Sequence, residues 1–180
     1  MVEKVLVTGG AGYVGSHVCI ALANNGYEPI IVDNLSNSKI YVVKKLNKII
    51  NKKVIFNKID IRDKIKLKKI INKHSISKII HLASLKSVEE SLDQPFKYIS
   101  NNISGLIDLL SCFDKNKLKQ IIFSSSACVY GNTGKFPIKE NNELKHENTY
   151  GYTKIVCEQI IENYCMENKC NYANLRYFNP

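Results

Sequence analysis

The feature that most constrains the fold is the regular alternation of short, Val- and Ile-rich runs with longer amphipathic stretches. The runs are KVLVT (4–8), EPIIVD (28–33), KVIFN (53–57), KIIHLA (78–83), QIIFSS (120–125) and NYANLRYF (171–178). Their hydrophobicity is nearly continuous, which is typical of strands that are buried on both faces. Such strands belong to a parallel sheet covered by helices.

The stretches between these runs have the apolar spacing of helices. The predicted helices cover residues 13–25, 39–51, 63–73, 86–116 with a break at Pro95, and 150–168. This order predicts an α/β fold, a Rossmann-like doubly wound parallel sheet with helices on both faces. Since the chain has 180 residues and contains no linker or repeat, we expect one domain over residues 1–180.

A glycine-rich turn follows the first predicted strand. In VTGGAGYVG, the residues Gly10, Gly12 and Gly15 have the spacing GxGxxG and open a predicted helix. Glycines in this position allow a tight turn and close approach of a pyrophosphate, and the helix N-terminus favours its negative charge. The context therefore predicts a dinucleotide site, against the alternative of an ordinary strand-to-helix turn.

Acidic residues follow the second and third strands. Asp33 ends the second strand, where a carboxylate would accept hydrogen bonds from ribose hydroxyls and repel a 2′-phosphate, so the pattern favours NAD over NADP. Asp60 follows the third strand at the same edge. It could reach the adenine amino group, and a helix-capping role is the alternative.

The segment NTYGYTK begins the last predicted helix. Tyr150 and Lys154 are four residues apart and share a helix face, whereas Tyr152 lies on another face. A nearby ammonium and a positive nicotinamide would stabilise the phenolate, so Tyr150 is the candidate base. Ser126, at the end of the fifth strand, could relay a proton from a substrate hydroxyl. In isolation the tyrosine and lysine would indicate only a solvated helix face.

Composition limits the partners. The net charge is +10, but only Arg62 and Arg176 among the 26 basic residues are arginines, and the lysines are spread along the chain. We therefore expect no nucleic-acid partner. The cysteines contain no CxxC pair, which indicates reduced thiols and no metal site. These cysteines are Cys19, Cys112, Cys128, Cys157, Cys165 and Cys170. Without a leader or a long apolar segment, we expect a cytoplasmic protein with no membrane partner.

The motifs together resemble those of the extended short-chain dehydrogenase/reductase family: a TGGxGxxG turn, a serine ahead of YxxxK, and the βα rhythm. More narrowly, the chain is similar throughout to the N-terminal half of the UDP-glucose 4-epimerases. The strings that carry this similarity are VTGGAGYVGSH, DNLSNSK, DIRD, LKSVEES, NNISG, SSSACVYG and LRYFNP.

The resemblance implies a function in galactose metabolism, the NAD-dependent interconversion of UDP-glucose and UDP-galactose by transient oxidation at sugar C4. It implies that Tyr150, Lys154 and Ser126 are catalytic. The implied cofactor-binding residues are Gly9, Gly10, Gly12, Tyr13, Val14 and Gly15 at the pyrophosphate; Asp33, Asn34, Asn37 and Ser38 at the ribose; Asp60 and Ile61 at the adenine; and Leu82, Ala83, Lys86, Asn101, Tyr150, Lys154 and Phe178 towards the nicotinamide. The implied substrate-binding residues are Lys86, Ser126, Tyr150 and Asn179.

The chain departs from the family pattern in three places. Ser84 stands where glycine is usual beside the cofactor, Thr149 stands where proline is frequent, and the sequence ends at Pro180. In the family, the uridine pocket and most sugar contacts lie in a C-terminal part of similar length. We therefore expect this chain to be a fragment that is poorly active alone. The family pattern also implies a homodimer through the helices at 86–116 and 150–168.

Two other interpretations remain open. A dehydratase, decarboxylase or reductase that acts on a different nucleotide sugar would have the same cofactor fold. In the dehydratases and decarboxylases, acidic residues follow the serine or threonine of the fifth strand, whereas this chain has Ala127 and Cys128 there. A non-catalytic NAD-binding module is the other alternative, and it has no need of Ser126, Tyr150 and Lys154.

Overall fold

A parallel six-stranded sheet forms the centre of the computed structural model, which describes residues 2–134 and 136–178. The strands are β1 (Lys4–Thr8), β2 (Glu28–Asp33), β3 (Ile55–Lys58), β4 (Lys78–His81), β5 (Gln120–Ser126) and β6 (Asn171–Tyr177). Their order is β3-β2-β1-β4-β5-β6, and every neighbouring pair is parallel. The predicted Rossmann-like fold is confirmed, with the strand order reversing between β1 and β4.

Helices connect the strands. They are α1 (Tyr13–Asn24), α2 (Ile40–Ile49), α3 (Lys64–His74), α4 (Val88–Asp93), α5 (Pro95–Tyr98), α6 (Gly105–Leu110) and α7 (Thr149–Asn168). A π-helical stretch (Ile99–Ser104) joins α5 to α6, and a short 3₁₀ turn (Ala127–Tyr130) follows β5. The predicted break at Pro95 is confirmed, since Pro95 begins α5. The π-helical stretch was not predicted, and the helical segment ends at Leu110 instead of residue 116.

Two hydrophobic clusters cover the two faces of the sheet. Leu6 of β1 belongs to the larger one, with side chains of α3, α6 and α7, whereas its neighbour Val7 belongs to the smaller one, with side chains of α1 and α2. Consecutive strand residues point to opposite faces, so helices lie on both sides as predicted. For β6 the prediction of burial on both faces is wrong. Tyr172 and Leu175 remain exposed on this edge strand.

The described part of the chain, residues 2–134 and 136–178, contains no helix that is long and apolar enough to cross a membrane. Within the same residues, no group of three or more His, Cys, Asp or Glu side chains could hold a metal ion. All six cysteines are in this part, and all are free thiols.

Candidate active site

A cleft of about 520 Å³ opens at the carboxyl ends of the central strands, on both sides of the β1–β4 junction. This is the edge at which ligands bind in doubly wound sheets. Most of the sequence-predicted site residues line it. They are Gly9, Gly12, Tyr13, Val14, Gly15, Asp33, Asn34, Asn37, Ser38, Asp60, Ile61, Leu82, Ala83, Lys86, Asn101, Ser126, Tyr150 and Phe178. Gly10 and Lys154 lie behind this lining, and Asn179 lies outside the described residues.

The glycine turn is too crowded for side chains. A Cβ on Gly15 would lie 2.2 Å from the Gly9 carbonyl oxygen, and one on Gly10 would lie 2.8 Å from Cγ2 of Ile31. Gly9 has a φ of +70°, in the left-handed region. Helix α1 begins directly after Gly12, and no side chain caps its first turn. The turn therefore exposes backbone next to an uncapped helix N-terminus, a suitable place for an anionic phosphate.

Asp33 joins the glycine turn to the loop after β2. One carboxylate oxygen accepts a hydrogen bond from the Ala11 N–H at 3.0 Å. The other accepts from the Leu35 N–H at 2.8 Å and the Ser38 hydroxyl at 3.1 Å. A carboxylate has about four acceptor sites, so about one remains for a ligand hydroxyl. The sequence did not reveal that Asp33 also holds the turn together.

Asp60 pairs with its neighbours instead of capping a helix. It accepts two hydrogen bonds from the Arg62 guanidinium, at 2.8 and 2.9 Å, and one from the Asn34 amide at 2.9 Å. The Arg62 guanidinium holds the pKa of the Asp60 carboxyl well below its usual range. The cap of α3 is Asp63, whose side chain accepts from the Lys66 N–H. The capping alternative for Asp60 is therefore wrong.

The first turn of α7 positions Tyr150. The Asn148 side chain caps the helix by accepting the Gly151 N–H at 2.8 Å. The hydroxyl of Ser91, from α4, accepts the Tyr150 N–H at 3.1 Å. Tyr150 is 8% exposed and lines the cleft, whereas Tyr152 is 39% exposed and lies outside it. The predicted separation of the two tyrosines onto different faces is confirmed.

Lys154 lies beneath Tyr150, on the same face of α7 and 2% exposed. Its Nζ donates to the Ser84 hydroxyl oxygen at 2.9 Å and to the Ser124 carbonyl at 2.7 Å. It lies 4.8 Å from the ring centroid of Phe123 and 5.5 Å from that of Tyr150. Burial lowers the pKa of Lys154 from 10.5 to about 8.

Burial also acts on the candidate base. It raises the pKa of the Tyr150 phenol, while a hydrogen bond with the Ser126 side chain acts in the opposite direction. From the sequence, Lys154 and a positive nicotinamide together are expected to favour the phenolate. In the protein itself, desolvation of the phenol is the larger effect.

A partly buried ion pair next to the cleft could not be recognised from the sequence. Arg176 of β6 donates to the two carboxylate oxygens of Glu158 on α7, at 2.7 Å for the shortest contact. The Ser125 hydroxyl bonds the same carboxylate, and Arg176 also donates to the Tyr130 hydroxyl at 2.7 Å. These contacts hold α7 against β5 and β6. Arg176 is one of only two arginines in a lysine-rich chain, and this rarity is the sequence feature that could have pointed to a specific role.

Asn102, in the π-helical stretch, is a second missed residue. Its side chain accepts the Leu85 N–H at 2.9 Å and donates to the Leu85 carbonyl at 3.0 Å. It also donates to the Thr153 hydroxyl of α7 at 3.1 Å. A buried asparagine that joins two segments in this way fixes the wall of the cleft near Lys154. The string NNISG contained it, but spacing alone does not separate it from Asn101, which lines the cleft.

The family model for the NAD-dependent epimerase/dehydratase family matches residues 5–180. The chain is 47% identical to a UDP-glucose 4-epimerase of Schizosaccharomyces pombe, over 98% of the chain and 51% of that relative. It is 44% identical to the UDP-glucose 4-epimerase of Dictyostelium discoideum, over 99% of the chain and 52% of that relative. The chain thus spans about half the length of the curated relatives it matches.

Two solved structures have the same fold over nearly the whole chain. The UDP-glucose 4-epimerase of Stenotrophomonas maltophila, with bound NAD and formylated UDP-arabinopyranose, has a TM-score of 0.94 and 41% identity over 99% of the chain and 53% of that protein. The enzyme of Bifidobacterium longum, in complex with NAD⁺ and UDP, has a TM-score of 0.95 and 38% identity over 99% of the chain and 54% of that protein.

Proposed function

The chain belongs to the NAD-dependent epimerase/dehydratase family, and on that premise we propose that it is the cofactor-binding and catalytic part of a UDP-glucose 4-epimerase. The single observation that carries the proposal is the buried Lys154 beneath Tyr150 at the end of a dinucleotide-type cleft. The ammonium of Lys154 contacts no carboxylate among its hydrogen-bond partners in the described residues. A charge buried in this way is characteristic of a catalytic site.

The residues of the cleft fit NAD. The glycine turn packs too tightly to accept side chains and lines the cleft with backbone, and the uncapped N-terminus of α1 suits a pyrophosphate. Asp33 retains an acceptor for a ribose hydroxyl. Lys86 is the only cation among the described lining residues, and it follows β4, whereas Asp33 ends β2. The charges at the Asp33 side therefore favour NAD over a 2′-phosphorylated cofactor.

The proposed chemistry uses three side chains. Tyr150, as the phenolate, takes the proton of the sugar 4-hydroxyl and becomes the neutral phenol, which later returns that proton. Ser126 is placed to hold the Tyr150 oxygen by a hydrogen bond. The Lys154 ammonium, 5.5 Å from the Tyr150 ring, favours the phenolate electrostatically. NAD, when bound, would supply reversible hydride transfer at sugar C4. The proton is thus held at the Tyr150 hydroxyl while the sugar is oxidised.

The residues after β5 support an epimerase over a dehydratase or decarboxylase. Elimination of water or stabilisation of a carbanion needs an additional acid or base, and the 3₁₀ turn there begins with Ala127 and Cys128. Oxidation and its reversal at one carbon need no such group. UDP-glucose and UDP-galactose are therefore the proposed substrates, and the sugar-binding part is proposed to lie in a longer polypeptide.

We also propose that the protein forms a homodimer through the helices at 86–116 and 150–168. We propose in addition that it is located in the cytoplasm. Leu92, Phe96 and Ile107 are exposed large hydrophobic residues in the first of these segments. The free thiols agree with a reducing compartment.

The experiment that tests the function compares Tyr150→Phe with Tyr152→Phe in the longer polypeptide that contains this chain. We expect Tyr150→Phe to lower turnover of UDP-galactose by at least about 10²-fold, the usual effect of losing a general base. Tyr152→Phe is the matched control, because it also removes one hydroxyl from α7 but outside the cleft. Equal losses in the two variants would refute the assignment of Tyr150.

Two further measurements test the proposal that the chain is part of a longer protein. An antibody raised against the chain should detect a native protein of about twice 20.4 kDa. A native band at 20.4 kDa would favour the NAD-binding module instead. The purified 180-residue chain should bind NAD weakly or not at all and show no sustained turnover of UDP-galactose. Steady turnover by this chain would contradict the need for a further sugar-binding part.

A further inference from the structure

Ser84 contacts the buried lysine directly. Its hydroxyl oxygen accepts a hydrogen bond from Nζ of Lys154 at 2.9 Å, across 70 residues of sequence. In the sequence, Ser84 was only a departure from the glycine that is usual at this turn. We infer that Ser84 is a positioning residue whose hydroxyl fixes the Lys154 ammonium beneath Tyr150 and keeps it charged at neutral pH.

The Ser84 hydroxyl provides one of the two oxygen acceptors of the ammonium in the described residues, the other being the Ser124 carbonyl. An ammonium has three N–H donors, and its surroundings otherwise include the rings of Phe123 and Tyr150. Loss of the Ser84 hydroxyl would leave the ammonium, among the described residues, with one oxygen acceptor for its three N–H donors. An unpaired donor disfavours the charged form of the amine.

The backbone around Ser84 is held in place from two sides. Asn102 bonds both the N–H and the carbonyl of Leu85, the next residue, and also the Thr153 hydroxyl. Thr153 precedes Lys154 on α7. The segment that carries Ser84 is therefore fixed to α7 by two adjacent contacts, which makes the Ser84 oxygen a preorganised acceptor.

None of the ionisable groups named below replaces the Ser84 hydroxyl as a hydrogen-bond acceptor of the Lys154 ammonium. Cys128 after β5, and Cys157 and Glu158 on α7, act electrostatically on the Lys154 ammonium. His81 on β4 is in turn affected by the charge of Lys154. Burial lowers the pKa of His81 to about 3, so it is neutral at pH 7. Glu158 is paired with Arg176. Tyr150, on the same helix, presents its ring to the ammonium.

The test is a titration of the Lys154 amino group in the 180-residue chain, using lysine labelled with ¹³C at Cε. The Lys154 signal is identified by its absence in Lys154→Met. In the wild type it should titrate with a pKa of about 8. Ser84→Ala should lower that pKa by about one unit, since hydrogen bonds to charged groups contribute about one to two pKa units. At pH 7 the charged fraction would then fall from about nine-tenths to about one-half.

Two variants serve as controls. Ser84→Thr keeps the hydroxyl and should therefore retain the wild-type pKa of Lys154. Ser111→Ala removes an exposed hydroxyl, bonded to the Asp108 carbonyl, and should have no effect on the Lys154 signal. If Ser84→Ala titrates with the wild type, or if Ser84→Thr shifts as far as Ser84→Ala, the role of the hydroxyl is refuted.

The importance of this role for catalysis rests on the proposed function, but the titration does not. It requires neither NAD nor a UDP-sugar. A longer polypeptide that fails to convert UDP-galactose would refute the epimerase proposal and leave the Ser84 result standing. Conversely, an unchanged Lys154 titration in Ser84→Ala would refute the positioning role while the epimerase proposal stands.

Discussion

Because Lys154 is buried, its titration should make the free energy of unfolding depend on pH. The variant Lys154→Met should lack this contribution. In the folded chain the pKa of Lys154 is lowered from 10.5 to about 8, because the ammonium is almost completely removed from water. Methionine has an unbranched apolar side chain and carries no charge at any pH. The variant thus isolates the titration of this one amine.

The sign of the effect follows from proton binding. Between pH 8 and pH 10.5 the unfolded chain holds a proton on Lys154 that the folded chain has released, so stability rises with pH in this window. Below pH 8 the full penalty of burying the charge is present, about 3 kcal/mol. From pH 7 to pH 10, most of this penalty, roughly 2–3 kcal/mol, should be recovered.

Urea denaturation at pH 7 and pH 10 measures the prediction in the wild type, Lys154→Met and Lys115→Met. The stability of the wild type minus that of Lys154→Met should increase by roughly 2–3 kcal/mol between the two pH values. Lys115 is exposed, so Lys115→Met should run parallel to the wild type. Groups common to all three proteins cancel in the comparison. A change below about 1 kcal/mol for Lys154→Met would refute the desolvation argument.

Two further perturbations test the cleft and its support. Gly15→Ala should abolish NAD binding and destabilise the longer polypeptide more than Gly12→Ala, because a Cβ at residue 15 would lie 2.2 Å from the Gly9 oxygen and one at residue 12 would lie 3.2 Å from it. Calorimetry measures NAD binding and thermal melting measures stability. Equal effects of the two variants would contradict the steric account. Arg176→Met should lower the free energy of unfolding in urea by about 3 kcal/mol, because it leaves Glu158 buried without its cation. Adding Glu158→Gln to this variant should recover part of the loss. If Arg176→Met alone is as stable as the wild type, the ion pair is dispensable.

Most of the sheet could be predicted from the sequence. The order of strands and helices follows from local periodicity, and the break at Pro95 follows from proline chemistry. The π-helical stretch and the exposure of β6 could not be predicted this way. Tyr172 and Leu175 have the residue types of a buried strand, yet both are exposed in the described part of the chain.

The location of the candidate site was also largely predictable. The carboxyl edge of a parallel sheet collects residues that follow its strands, which is why Asp33, Asp60 and Ser126 all line one cleft. The helical spacing separated Tyr150 from Tyr152 correctly. What remained hidden was the set of partners of each polar group.

By itself, the sequence determined the features that depend on neighbouring residues: the strands and helices, the glycine turn, and the face of α7 that carries Tyr150. Tertiary structure alone decided the pairings between distant residues, such as Lys154 with Ser84, 70 residues apart, and Asp33 with the Ala11 N–H, 22 residues apart. The physical reason is that backbone conformation responds to local sterics and periodicity, whereas hydrogen bonding and desolvation depend on which segments the packed sheet brings together.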